Sequence, residues 1–165
     1  MKKLFALLLA SLMLVSLVAC GGEDSKEEVF TSNGMSITLD NSFKESSYEG
    51  YTVCFESKTV AIFGLKESFT LLAGLENYTL AQYAELVHNA NSSKTPSAIT
   101  TVDGLTTFEY TFLNTENNIT YKYFTTMFKG DDAFWTIQFS CDAKDYDANK
   151  ADFIKYAKSI DVTKD

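Results

Sequence analysis

The chain has 165 residues, 22 of them acidic and 14 basic, with a formal net charge of −8, and every basic residue is lysine. An acidic surface with no guanidinium to fork onto phosphate or guanine excludes nucleic-acid binding and argues against phosphoryl transfer. One histidine, with no Cys/His cluster, leaves no ligand set for zinc.

Lys2 and Lys3 precede residues 4–17, which are apolar apart from Ser11 and Ser16. This is the layout of a secretory leader. The apolar run to Ala19 falls short of the ~20 residues that a spanning helix needs. It closes on Leu17-Val18-Ala19-Cys20. Ser16 and Val18 fit a small-x-small cleavage site poorly, and a cysteine stands where lipoprotein precursors carry theirs. The segment resembles a bacterial type II signal peptide ending in a lipobox. That resemblance implies cleavage between Ala19 and Cys20, a diacylglyceryl thioether on the Cys20 sulfur with acyl chains such as palmitate, and a lipoprotein anchored outside the cell membrane. Two acyl chains anchor stably where one does not. The lysine-only composition fits a low-GC, Gram-positive host.

Residues 21–28 (GGEDSKEE) contain no apolar side chain and are expected to form a flexible tether. Fully extended, they span at most ~30 Å. The division is therefore a leader over 1–19, a lipidated N-terminus and tether over 20–28, and one extracytoplasmic domain over 29–165.

Within that domain period-two patterns dominate. Residues 35–39 alternate behind the Asn33-Gly34 turn. Residues 51–56 and 59–65 make a hairpin around Ser57-Lys58, and residues 69–73 read as a third short run. The period then changes. Leu80, Tyr83, Ala84 and Val87 form one helical stripe, with Thr79 and Gln82 as a capping box and Tyr78 and Tyr83 at the staple positions. Asp103-Gly104 signals a hairpin between 99–102 and 105–113. Residues 119–128 and 133–141 complete an antiparallel meander. Phe153, Tyr156, Ala157 and Ile160 predict a closing helix over 147–159. The expected class is α+β, one antiparallel sheet of six or seven strands against two helices.

The order of elements resembles the PsbP-like fold of small extracytoplasmic proteins. The residues that carry the resemblance are Gly34-Met35-Ser36-Ile37-Thr38-Leu39 before Phe43, the Phe134-Trp135 strand and the closing Ala157-Lys158-Ser159-Ile160. Asp40 and Phe43 stand where the family has a Pro-x-x-Trp-type end to its first strand. The family includes photosystem accessory proteins and bacterial lipoproteins. It shares no catalytic residues, so none is implied here.

Candidate chemistry is sparse. His88 is expected to be solvated near a helix end, without an acid–base partner. Asp142, Asp145, Asp147 and Asp152 lack the spacing of a calcium loop and suit helix capping by Asp145 and Asp147. No Gly-x-Ser-x-Gly, Ser-x-x-Lys enzyme context or phosphate loop is present. Cys54 and Cys141 can pair in an oxidising compartment, but alternation gives them different neighbours: Thr52 and Glu56 for one, Trp135, Ile137 and Phe139 for the other. Phe108, Tyr110, Tyr121, Tyr123 and Trp135 are candidates to line a ligand groove, although such aromatics also make plain core.

The expectation is thus a non-catalytic, membrane-anchored binding or accessory module of the cell envelope, with no cofactor, no metal and no nucleic acid. Its partner is an envelope protein or a small ligand. A surface carrier with a pocket between sheet and helices is the alternative, and a hydrolase with an unrecognised site ranks behind both.

Overall fold

The computed structural model describes residues 26–72 and 74–162. The leader and Cys20 lie outside the described residues. Two hairpins are set by their turns. Asn33 and Gly34, at φ 51° and 82°, join β1 (Glu27–Ser32) to β2 (Met35–Asp40). Asp103 and Gly104, at φ 51° and 86°, join β6 (Thr100–Val102) to β7 (Leu105–Asn114). Positive φ at both central positions gives the turn whose twist matches that of the strands it joins, and glycine fills the second without a Cβ penalty.

β3 (Lys44–Ser46), β4 (Val53–Glu56), β5 (Val60–Ser68), β8 (Ile119–Lys129) and β9 (Ala133–Asp142) join β6 and β7 in a seven-stranded sheet. Its order is β3-β4-β5-β9-β8-β7-β6, with every pairing antiparallel. With α1 (Leu80–Ala90) and α2 (Tyr146–Lys158), this is the expected α+β class. A second sheet, β1-β2-β10, is added by β10 (Asp161–Val162), which pairs with Ser36 and Met35.

The last strand to enter the large sheet, β9, lies between β5 and β8 and is buried on both faces. Trp135, Ile137 and Phe139 face one core, with Ile37 and Leu39 of β2 and Phe153 and Ala157 of α2. Phe134 faces the other, with Phe108, Tyr110 and Met127 of the sheet and Tyr83 and Ala84 of α1. Among the described residues both cores are built from side chains between Phe30 and Val162, all of which the chain from position 20 onward contains. Ser159 closes the α2 end, its Oγ accepting the Thr38 N–H at 2.9 Å.

Three local expectations change. Glu27 and Glu28 pair with Asp40 and Leu39, so the domain begins inside the expected tether. Residues 69–72 form a turn rather than a short strand, held by Phe69 N–H to the Asp132 carbonyl at 2.8 Å. Asp145 stands at the N-cap of α2 without a side-chain cap bond, and Asp147 lies in its first turn.

Candidate functional site

The connection from β5 to α1 starts beside the β8–β9 turn, where the Phe69 N–H meets the Asp132 carbonyl. Lys129 pins it, donating to the carbonyls of Glu76 at 3.0 Å and Tyr78 at 2.6 Å. α1 begins as its sequence dictates: Thr79 Oγ1 accepts from Gln82 N, and Gln82 Oε1 accepts from Thr79 N. Its stripe is only partly covered. Tyr83 and Ala84 are buried, whereas Leu80 and Val87 are half-exposed.

The uncovered part forms one wall of a groove of about 820 Å³ between α1 and the sheet. Leu65 of β5, Leu71, Leu72 and Leu75 of the connection, and Leu86 and Val87 of α1 give it apolar walls. Among the described residues nine large hydrophobic side chains are exposed, and Tyr51, Leu71, Leu72, Tyr78 and Leu86 all line this groove. Leu71 is 83% exposed. Scattered apolar exposure is ordinary; here more than half of it is gathered around one concavity.

Polar groups sit at its two ends. At one, the Tyr83 hydroxyl donates to the Glu67 carboxylate and lies 2.8 Å from Thr136 Oγ1. A phenol has one proton, so Thr136 must donate to it. The Tyr83 ring stacks on Phe134, centroids 4.2 Å apart. Burial, then the hydrogen bond to Glu67, holds the phenol well above its ordinary pKa.

At the other end Gln138 Nε2 donates to the Tyr110 hydroxyl at 3.0 Å. The Lys94 ammonium lies 4.7 Å from the centroid of the Tyr110 ring and donates to Asn91 Oδ1 at 3.0 Å. Burial pushes its pKa below the usual lysine value. Among the described residues Lys94 has no carboxylate within 4 Å, although the domain is acidic. Glu67 and Phe63 lie opposite Phe134 and Gln138 on the β5–β9 ladder, so the two ends are about 13 Å apart at strand rise.

The five aromatics expected to line a groove do not share one. Trp135 is fully buried on the α2 side, paired with Lys66 and Phe128. Phe108 and Tyr110 are buried beneath α1, and Tyr123 stacks on Tyr110 at 4.6 Å. Tyr121 and Tyr123 border a smaller cavity of about 410 Å³ near Tyr48 and Glu56. Alternation within each strand was legible, but the register between strands, which decides the faces, is non-local.

His88 is tied down rather than solvated. Its Nε2 lies 2.9 Å from the Ser97 carbonyl, which only accepts, so Nε2 carries the proton. Its ring meets Phe108 edge-on at 5.2 Å. Cys54 and Cys141 are buried free thiols on opposite faces of the sheet. Burial first, then Asp145 and Asp142, pushes the Cys141 thiol up to about 11. Among the described residues no group of three His, Cys, Asp or Glu side chains could hold a metal, and no helix is long and apolar enough to cross a membrane.

No family model and no curated protein matches the chain. Solved structures do. The cyanobacterial PsbP protein CyanoP of Synechocystis sp. PCC 6803 superposes with a TM-score of 0.54 at 12% identity, over 88% of this chain and 98% of that one. A protein of Bacteroides thetaiotaomicron superposes with a TM-score of 0.51 at 11% identity, over 87% of this chain and 50% of that one. At such identity the likeness concerns the fold alone, and the fold is PsbP-like.

Proposed function

We propose that this chain is a non-catalytic binding module of the bacterial envelope, held outside the membrane by lipid on Cys20, that takes a small, largely apolar ligand in the groove between α1 and the sheet. The observation that carries this reading is the gathering of five exposed apolar side chains around one concavity of about 820 Å³. That volume is in the range of small-molecule sites, ~300–1,000 Å³. Of the two binding readings open in the sequence, contact with an envelope partner and a small-ligand carrier, the groove favours the carrier. A solidly packed interface between α1 and the sheet would have argued the other way.

The polar groups support binding rather than turnover. Glu67 accepts the Tyr83 hydroxyl, and His88 is committed to Ser97, so neither addresses a nucleophile. A PsbP-like fold is compatible with an accessory role and assigns no ligand.

The test uses the chain from position 20 with Cys20→Ser, titrated with the neutral apolar fluorophore 1-N-phenylnaphthylamine. Saturable one-to-one binding is expected, abolished by Ala90→Trp, which fills the groove from an exposed position on α1. Absence of saturable binding, or binding indifferent to Ala90→Trp, overturns the reading.

A further inference from the structure

The groove is apolar along its walls but charged at its ends, and the two ends are not equivalent. Glu67 is already engaged by the Tyr83 hydroxyl. Lys94 is a partly buried cation with a neutral amide and an aromatic face for company, and among the described residues it has no counter-ion. Tyr51 lines the same groove, packs on Phe63 at 4.9 Å, and its hydroxyl makes no hydrogen bond among the described residues. Phe63 is the register partner of Gln138, which places Tyr51 at the Lys94 end. An ammonium and a phenol with unfilled capacity, beside an apolar trough, form a seat for an anionic oxygen attached to a hydrocarbon.

We propose, resting on the groove being a binding site, that its ligand is a single-chain amphiphile with an anionic head, a carboxylate or a phosphate. The head meets Lys94 and Tyr51, and the chain lies along Leu65, Leu72 and Leu86. Electrostatics fixes the orientation. The Glu67 carboxylate repels an anion, while Lys94, without an ion-pair partner among the described residues, attracts one. The exposed Leu71 and Leu72 are placed to cover the chain where it would otherwise meet water.

The experiment displaces 1-N-phenylnaphthylamine from the Cys20→Ser chain with dodecanoate, dodecyl phosphate, dodecanol and dodecylammonium, the ionic amphiphiles below their micelle concentrations and dodecanol below its solubility limit, and with acetate and inorganic phosphate alone. Both anionic amphiphiles are expected to compete at concentrations about tenfold or more below dodecanol, the scale of one charge-assisted contact. Their relative order identifies the head group, and the free anions are expected not to compete. Lys94→Met is expected to bring the anionic amphiphiles within about twofold of dodecanol, and Lys94→Arg to restore most of the preference, with thermal unfolding confirming that both variants are folded. Equal competition by dodecanol, stronger competition by dodecylammonium, or an unchanged preference in Lys94→Met overturns this inference while leaving the groove a binding site. Failure of the fluorophore itself to bind overturns both.

Discussion

The Tyr83 hydroxyl donates to the Glu67 carboxylate and so joins α1 to β5 across one end of the groove. The same oxygen accepts a hydrogen bond from the Thr136 hydroxyl of β9, so one phenol links the helix to two strands. Tyr83→Phe keeps the ring stacked on Phe134 and removes only these bonds. It is expected to cost about 1–2 kcal/mol in urea unfolding, the worth of a hydrogen bond to a charged group less what Glu67 regains from water. Thr136→Val, which leaves the bond to Glu67 intact, is expected to cost less.

Alkaline pH is expected to destabilise the fold. Burial raises the phenols of Tyr83, Tyr110, Tyr146 and Tyr156 above the ordinary 10.0, reinforced by Glu67 for Tyr83 and by Asp40 for Tyr156. Above about pH 10 the unfolded chain releases these protons and the folded chain keeps them. The folded state then binds more protons, so stability falls as pH rises, by up to about 1.4 kcal/mol per pH unit for each phenol. Urea midpoints measured from pH 8 to 11.5 check this. Tyr156→Phe is expected to flatten the slope by one such increment.

Gly64 has no room for a side chain. A Cβ there would stand 2.5 Å from Val53 Cγ2 and 3.1 Å from Ile137 Cδ1, in the centre of the large sheet. Gly64→Ala is expected to destabilise by about 1–3 kcal/mol through overpacking. The double variant Gly64→Ala/Val53→Ala is expected to recover part of the loss, since it deletes the nearer clashing methyl. Additive losses in the pair would contradict the packing account.

Two different fates are expected for the cysteines. Cys54 and Cys141 point to opposite faces, so no backbone-preserving bridge can join them. Alkylation after denaturation without reductant is expected to label both. Cys20 is proposed to carry lipid, and Cys20→Ala is expected to move the protein from the membrane fraction to the medium, or to leave it with its leader attached. Unchanged acyl labelling in Cys20→Ala would refute the anchor.

What was legible in the sequence was local. Asn33-Gly34 and Asp103-Gly104 dictate their turns through backbone sterics alone, and Thr79 with Gln82 caps α1 within four residues. Alternation also grouped Cys54 with Thr52 and Glu56, and Cys141 with Trp135, Ile137 and Phe139. The missed features are long-range. The pairing of residues 60–68 with 133–141 sets which face Trp135 takes, and no pattern within either segment encodes it. β10 has two residues and β1 opens with two glutamates, so neither announces a second sheet. The groove depends on how residues 69–72 and 74–79 lie beside α1 and the sheet, and the short run read at 69–73 did not foretell it. Its one signal was Leu71 and Leu72, apolar residues in a stretch that forms no strand.

The central claim, that the trough beneath α1 is a binding site, is tested most directly by two-dimensional NMR of the Cys20→Ser chain from position 20, titrated with 1-N-phenylnaphthylamine. Saturating amide shifts are expected at Leu65, Leu72, Leu86, Val87 and Gln138, with Phe153 and Ala157 on the far side of the sheet silent. Shifts that never saturate, or that gather on α2 instead, would contradict it.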